Sequence, residues 1–298
     1  MSRGLGEIEA VAGLPDAVAL LAALVTMLGD VWFVFVLLGV LYWVGSALPG
    51  PLSLPRRRAA FGIALAFVGL AVTTTLKELF RLPRPPGAGE PAGAALVPET
   101  LVPLYAQIGA ADGFGFPSGH AIAAVVVYGG LALLVGTRRS YAVGAVLCVS
   151  IPLSRIALGV HYLVDIVAGA AIGAALLAAV YRLCDRGDAP GRAMFLALLV
   201  ALVGAAVSYS SDTMLALGGA LGGRLTWGII GEAVVHETTT RPGGIASVVV
   251  GVAFGGLFAV VYGLDLAPYL GFLGMFVVVG GVFAAPLAGE AIARRLSV

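Results

Sequence analysis

Residues 61–85 read FGIALAFVGLAVTTTLKELFRLPRP. The run is apolar up to Leu76 and then turns abruptly to Lys77, Glu78, Arg81 and Arg84. About 20 apolar residues wound as a helix cross the hydrocarbon core of a bilayer, so 61–79 is predicted to be a membrane span that delivers a cluster of charge to one interface. Similar runs lie at 31–48, 121–136, 141–158, 162–180, 193–208, 245–262 and 266–285. Two weaker stretches accompany them. Residues 14–28 are short and stop at Gly29-Asp30, which suits an interfacial or half-spanning helix. Residues 214–235 are glycine-rich and interrupted by Arg224, and could cross, re-enter or pack on the bundle.

Composition agrees. The 298 residues are 60% hydrophobic and 11% charged, with a mean hydropathy of +1.05, whereas a soluble domain is about 25% charged. So few charges could not cover a water-soluble fold of this length. The expected class is all-α, a polytopic transmembrane helical bundle. A net charge of +1 without a basic tail points away from nucleic acid. Cys148 and Cys184 have neither disulfide nor metal spacing and read as packing residues. Residues 1–15 lack a positive leader and a small-residue cleavage site, so no signal peptide is expected. The pairs Gly169/Gly173, Gly218/Gly222 and Gly251/Gly255 are spaced for close helix approach, within the bundle in the main reading and between copies of a homo-oligomer in the alternative.

Arginine placement orients the spans, since positive charge is retained in the cytoplasm. Arg56, Arg57, Arg58, Arg138, Arg139, Arg182, Arg186 and Arg192 all fall on one side if the spans alternate. Lys77, Arg81, Arg84 and Arg155 fall on the other, outer side and require another reason to be there. The connection 86–116, rich in Pro, Gly and Ala, lies on that outer side, and connections this long are usually functional or disordered.

Three segments hold nearly all the unusual polar residues: KELFRLPRP at 77–85, PSGH at 117–120 and SRIALGVHYLVD at 154–165. The derived topology brings all three to the outer face. His161 and Asp165, four apart, share one helix face. The carboxylate can fix one imidazole nitrogen and leave the other free as a nucleophile; a merely structural His–Asp pair would look the same. PSGH opens a helix, where free N–H groups and the dipole favour an anion. There Gly119 permits close approach, Ser118 offers a hydroxyl and His120 is placed as a general acid, although an ordinary cap would read alike. Lys77, Arg84 and Arg155 can neutralise the charge of a transferring phosphoryl group. Any one of them could instead be a snorkelling side chain.

Together the three segments resemble the type 2 phosphatidic acid phosphatase family, which also includes soluble vanadium haloperoxidases. Its pattern is a lysine, six residues and Arg-Pro; then Pro-Ser-Gly-His; then Ser-Arg, five residues, a His, three residues and an Asp. Residues 77 to 165 match throughout. The resemblance extends over a six-helix phosphatase core at 14–210, including the 86–116 extracytoplasmic loop; the remaining apolar runs make 211–298 a C-terminal membrane extension of two or three helices. The resemblance implies that His161 forms a phosphohistidine, that Asp165 orients it and that His120 protonates the leaving alcohol. Lys77, Arg84, Ser118, Gly119 and Arg155 would hold the phosphate, with no metal and no cofactor. The expected substrate is a lipid phosphate or an isoprenyl diphosphate, met at the extracytoplasmic side of a plasma membrane. A phosphotransferase using an alcohol acceptor, or a non-enzymatic scaffold, are the alternatives. Outside the motifs, Asp112 in the outer loop could contact substrate, and His236 with Glu237 in a polar connection could form a metal or second site.

Overall fold

The structure, a computed structural model, describes residues 3–50, 53–264 and 266–296. These form helices and no strand. In chain order the α-helices are α1 (Glu7–Val11), α2 (Asp16–Met27), α3 (Val31–Val44), α4 (Arg56–Phe80), α5 (Val102–Gly109), α6 (Gly119–Ala123), α7 (Gly130–Val135), α8 (Arg138–Ala157), α9 (Leu163–Leu183), α10 (Pro190–Val207), α11 (Ser211–His236), α12 (Arg241–Gly263) and α13 (Pro268–Leu296). A π-helical turn, Ala124–Gly129, joins α6 to α7 in one continuous stretch.

Helices α4, α8, α9, α10, α12 and α13 are long and apolar enough to cross a membrane. Their packing explains why the chain needs lipid. The central α4 is buried along nearly its whole length, between α3, α10 and α11. The peripheral α8, α9 and α12 instead present Val143, Val146, Val149, Val164, Val167, Ile245, Val249 and Val252 outward. In water that surface would cost about 25 cal/mol for each Å² exposed; against acyl chains the cost vanishes. The protein is an integral membrane helical bundle.

The weak stretch at 14–28 and the expected span at 31–48 form a single broken pair, α2 and α3, bent by 44°. The break falls at Gly29-Asp30. Asp30 is extended (φ −68°, ψ 144°), and a Cβ on Gly29 would lie 2.6 Å from Ile151 Cγ2 and 2.8 Å from the His120 ring. Only glycine lets the chain pass that close.

The second weak stretch becomes α11, helical from end to end and packed along α13, α10 and α4. Its glycines do not interrupt it; they let a neighbour in. A Cβ at Gly218 or Gly222 would meet the carbonyl oxygens of Phe272 or Phe276 on α13 at 2.2 and 2.4 Å. Gly169, Gly173 and Gly251 are likewise occupied by neighbours within the chain, whereas Gly255 faces open space.

The connection after α4 is built rather than slack. It carries 3-10 turns at Ala94–Leu96 and Glu99–Leu101, then α5. It is pinned by Tyr105 Oη donating to Ala92 O at 2.6 Å and by Gly93 lying against Ala19 and Asp16 of α2. It forms a cap with α2 over one end of the bundle. At the other end the arginines are tied down: Arg57 pairs with Glu232 at 3.1 Å and Arg58 with Asp188 at 3.1 Å. There Arg56 donates to Val234 O, Glu237 O and Thr239 Oγ1.

Candidate active site

Every residue singled out for phosphate chemistry lies at the capped end. Lys77 sits in the last turn of α4, Arg155 in the last turn of α8, Asp165 in the first turn of α9, and Ser118 at the N-cap of α6. Antiparallel helices bring alternate chain ends to one level, so segments far apart in sequence converge.

Arg81, in the left-handed region (φ 49°), ends α4. Beyond it the residues before Pro83 and Pro85 are held extended, and Gly115 N donates to Leu82 O at 2.8 Å. Arg84 is thereby turned back over the bundle. Its Nε donates to Asp112 O at 2.6 Å and its Nη1 to Val160 O at 3.1 Å. The same Nη1 lies 3.0 Å from His161 Nε2. A guanidinium can only donate, so Nε2 must carry the lone pair. The proton of the neutral ring is then on Nδ1, which faces Asp165 Oδ2 at 3.3 Å. Asp165 Oδ2 also accepts from Tyr162 N at 3.0 Å, capping α9. His161 and Asp165 are buried. Burial, reinforced by Arg84, Arg155, Lys77 and His120, holds the His161 imidazole well below its ordinary range, so the ring stays neutral.

Ser118 N donates to Asp165 O at 3.0 Å, which fastens the Pro117–Gly119 turn to α9. Gly169 lies under that turn; a Cβ there would be 2.7 Å from Ser118 O. Arg155 is buried, with Nη1 donating to Thr26 Oγ1 at 3.0 Å. Its Nε is one of three buried side-chain nitrogens among the described residues with no acceptor, the others being on Arg3 and Arg56. Buried donors normally have partners. Lys77, Arg84 and Arg155 thus act on a neutral imidazole, and Arg155 keeps a spare buried donor that an anion's oxygen would satisfy.

Five contributors carried no sequence motif. Asp30 Oδ1 lies 2.9 Å from His120 Nε2. Thr26 holds Arg155, and Tyr128 of the π-helical turn donates to Leu28 O. Arg3 donates to Asp165 Oδ1 at 3.0 Å and to Pro83 O at 3.0 Å, with its guanidinium 5.1 Å from the Tyr162 ring centre. Glu7 Oε1 accepts from Leu163 N at 2.8 Å. The Gly29-Asp30 interruption was the one visible sign of Asp30; Arg3 had none.

Asp112 lies beside Arg84, which donates to its backbone oxygen. It lines a cavity of about 450 Å³ shared with Ser211, Asp212 and Tyr262. His236 and Glu237 lie at the opposite end, the first 3.6 Å from Glu232 and the second 3.0 Å from Arg294. Among the described residues no group of three His, Cys, Asp or Glu side chains is disposed to hold a metal.

Residues 58–187, which hold all three motif segments, match the sequence model of the PAP2 superfamily. That segment is a PAP2 superfamily domain. The chain is 35% identical over 134 residues to the decaprenylphosphoryl-5-phosphoribose phosphatase of Mycobacterium tuberculosis, with the same figures for strains CDC 1551 / Oshkosh and ATCC 25618 / H37Rv. The alignment covers 44% of this chain and 66% of that relative. No solved structure matches the chain. The PAP2 segment begins in the first turn of α4 and ends before α10, so Arg3, Thr26 and Asp30, as well as α11–α13, lie outside it.

Proposed function

We propose that this protein is a phosphatase acting on a phosphate carried by a lipid, a lipid phosphate monoester or an isoprenyl diphosphate, through a phosphohistidine on His161 and without a metal. The observation that carries the reading is the line Arg84–His161–Asp165, in which the Arg84 donor marks the lone pair on Nε2 and Nδ1–H faces the carboxylate. In that reading Nε2 attacks phosphorus in line with the leaving oxygen, and Asp165 stabilises the charge that develops on the ring. Lys77, Arg84 and Arg155, with Ser118 and the Gly119 backbone, hold the equatorial oxygens as charge spreads over them. His120 protonates the departing alcohol and then takes a proton from the water that attacks the phosphohistidine.

The lipid substrate is supported by the setting: the site lies at one end of a membrane bundle, where headgroups lie. The Mycobacterium tuberculosis relative is itself named for a decaprenylphosphoryl-5-phosphoribose substrate. The extracytoplasmic side of a plasma membrane is supported by charge. Arg241, Arg294 and Arg295 of the C-terminal helices join the arginines of α4, α8, α9 and α10 at the end away from the site, and that end should be cytoplasmic.

The test is phosphate release in detergent with EDTA present, from phosphatidic acid, phosphatidylglycerol phosphate and an isoprenyl diphosphate, by the full chain and by His161→Ala. Release by the full chain alone supports the reading. Silence from a folded full chain on all three lipids would sink it. Release that needs an added alcohol acceptor would make the protein a phosphotransferase.

A further inference from the structure

The break in the first span is joined to the site at successive positions. Thr26 Oγ1 receives Arg155 at 3.0 Å, Leu28 O receives Tyr128, Gly29 packs on the His120 ring, and Asp30 Oδ1 meets His120 Nε2 at 2.9 Å. Of these the Asp30–His120 contact has chemical content. Asp30 is the N-cap of α3, yet its side chain makes no cap hydrogen bond. A free N-cap aspartate would ordinarily satisfy an N–H of its own helix; this one is directed across to α6 instead. The other charged or titratable groups around His120 are Lys77 from α4, Arg155 from α8, His161 just before α9 and Asp165 in its first turn. Asp30 is the carboxylate in contact with the His120 ring, while Asp165 is engaged by His161, Tyr162 and Arg3.

We propose that Asp30 is a positioning residue for His120, fixing its ring and stabilising the imidazolium from which the leaving group takes its proton. The inference rests on the phosphatase reading above and adds to it a residue outside the PAP2 segment. With Nε2–H held by Asp30, Nδ1 is the nitrogen left to face the phosphoryl group. As the His161 Nε2 pair forms the P–N bond, the P–O bond breaks and its electron pair goes to the leaving oxygen. That oxygen takes the proton from His120 Nδ1, and the ring becomes neutral with its Nε2–H still on Asp30. In the second half Nδ1 takes a proton from water as the water oxygen bonds phosphorus, and the P–N pair returns to His161. The bent first span therefore supplies part of the acid–base apparatus.

The experiment compares the full chain, Asp30→Asn and Asp30→Glu in detergent on two substrates. One is an alkyl lipid phosphate, whose leaving alkoxide needs a proton; the other is 4-nitrophenyl phosphate, whose phenolate leaves without one. Asp30→Asn is expected to lower kcat on the alkyl phosphate by on the order of 10²-fold and on 4-nitrophenyl phosphate by less than about threefold, since general acid catalysis matters only for the poor leaving group. Asp30→Glu should recover part of the alkyl activity. Equal losses on both substrates, or no loss, would overturn the proposal. A second measurement needs no turnover: the rate at which diethyl pyrocarbonate modifies His120, followed by peptide mass against pH. Removal of the carboxylate should move its inflection down by about one pH unit or more. An unmoved inflection overturns the proposal. A moved one with no phosphate release from either substrate retains the Asp30–His120 coupling and removes the phosphatase reading.

Discussion

Gly169→Ala tests whether the site is held by helix packing. Gly169 lies on α9 directly beneath the Pro117–Gly119 turn. An added Cβ would sit 2.7 Å from Ser118 O, 2.9 Å from Ala121 Cβ and 3.4 Å from Ser118 N. Ordinary contacts begin at 3.4 Å, so about 0.7 Å must be absorbed. The obstructing oxygen is backbone and cannot swing aside, and the neighbouring Ser118 N–H is bonded to Asp165 O at 3.0 Å. The turn and α9 must therefore separate, carrying Ser118, Gly119 and His120 away from His161 and Asp165. Overpacking of this kind costs about 1–3 kcal/mol of stability. A displacement approaching 1 Å in a reacting constellation lowers the rate by up to about 10²-fold. The assay is kcat and KM for phosphate release from a lipid phosphate, with the thermal midpoint in detergent. Gly255→Ala, where the Cβ meets nothing within 4 Å, is the control and should change neither by more than about 0.5 kcal/mol. Wild-type kcat and midpoint in Gly169→Ala would refute the claim that close approach of α9 fixes the phosphate turn.

The low-lying His161 imidazole makes a pH prediction. Because its folded-state value lies below the ordinary 6.5, the nucleophile keeps its lone pair at and below that pH. The acid limb of kcat/KM should fall only well under pH 6.5, and an inflection near 6.5 would contradict the burial and cation argument. Arg3→Gln removes the partner at 3.0 Å from the fully buried Asp165 carboxylate. A hydrogen bond to a charged group is worth about 1.5–3 kcal/mol, so kcat should drop about tenfold or more, and an unchanged kcat would show that the N-terminal segment is not coupled to the site. Glu290, buried at the opposite end, accepts from Thr240 N and Thr240 Oγ1 at 2.8 Å each and so caps α12. Glu290→Ala should cost about 1–3 kcal/mol of stability and leave kcat of the folded fraction unchanged; a selective loss of kcat would link the two ends of the bundle.

The membrane class of the fold and the grouping of Lys77, Arg84, Ser118, Gly119, His120, Arg155, His161 and Asp165 at one end were legible in the sequence. Both depend on local quantities. An apolar run of about 20 residues has one low-energy disposition in a bilayer, and alternation of spans then assigns each polar segment to a level. The i, i+4 spacing of His161 and Asp165 is likewise a property of one short stretch. The exact character of the weak segments was not legible. Composition cannot distinguish a glycine that breaks a helix from one that admits a neighbour. At Gly29 the chain bends by 44°, while at Gly218 and Gly222 the helix runs on and α13 closes in.

Tertiary structure alone decided which residues complete the site. Arg3, Thr26 and Asp30 contact Asp165, Arg155 and His120 across separations of 162, 129 and 90 residues. No periodicity encodes such contacts, because they arise when the bent first span and its cap settle onto the ends of α6, α8 and α9. The same packing assigned the His161 tautomer: the sequence placed a carboxylate in reach of the ring, but only the approach of the Arg84 guanidinium, which cannot accept a hydrogen bond, shows that Nε2 holds the lone pair.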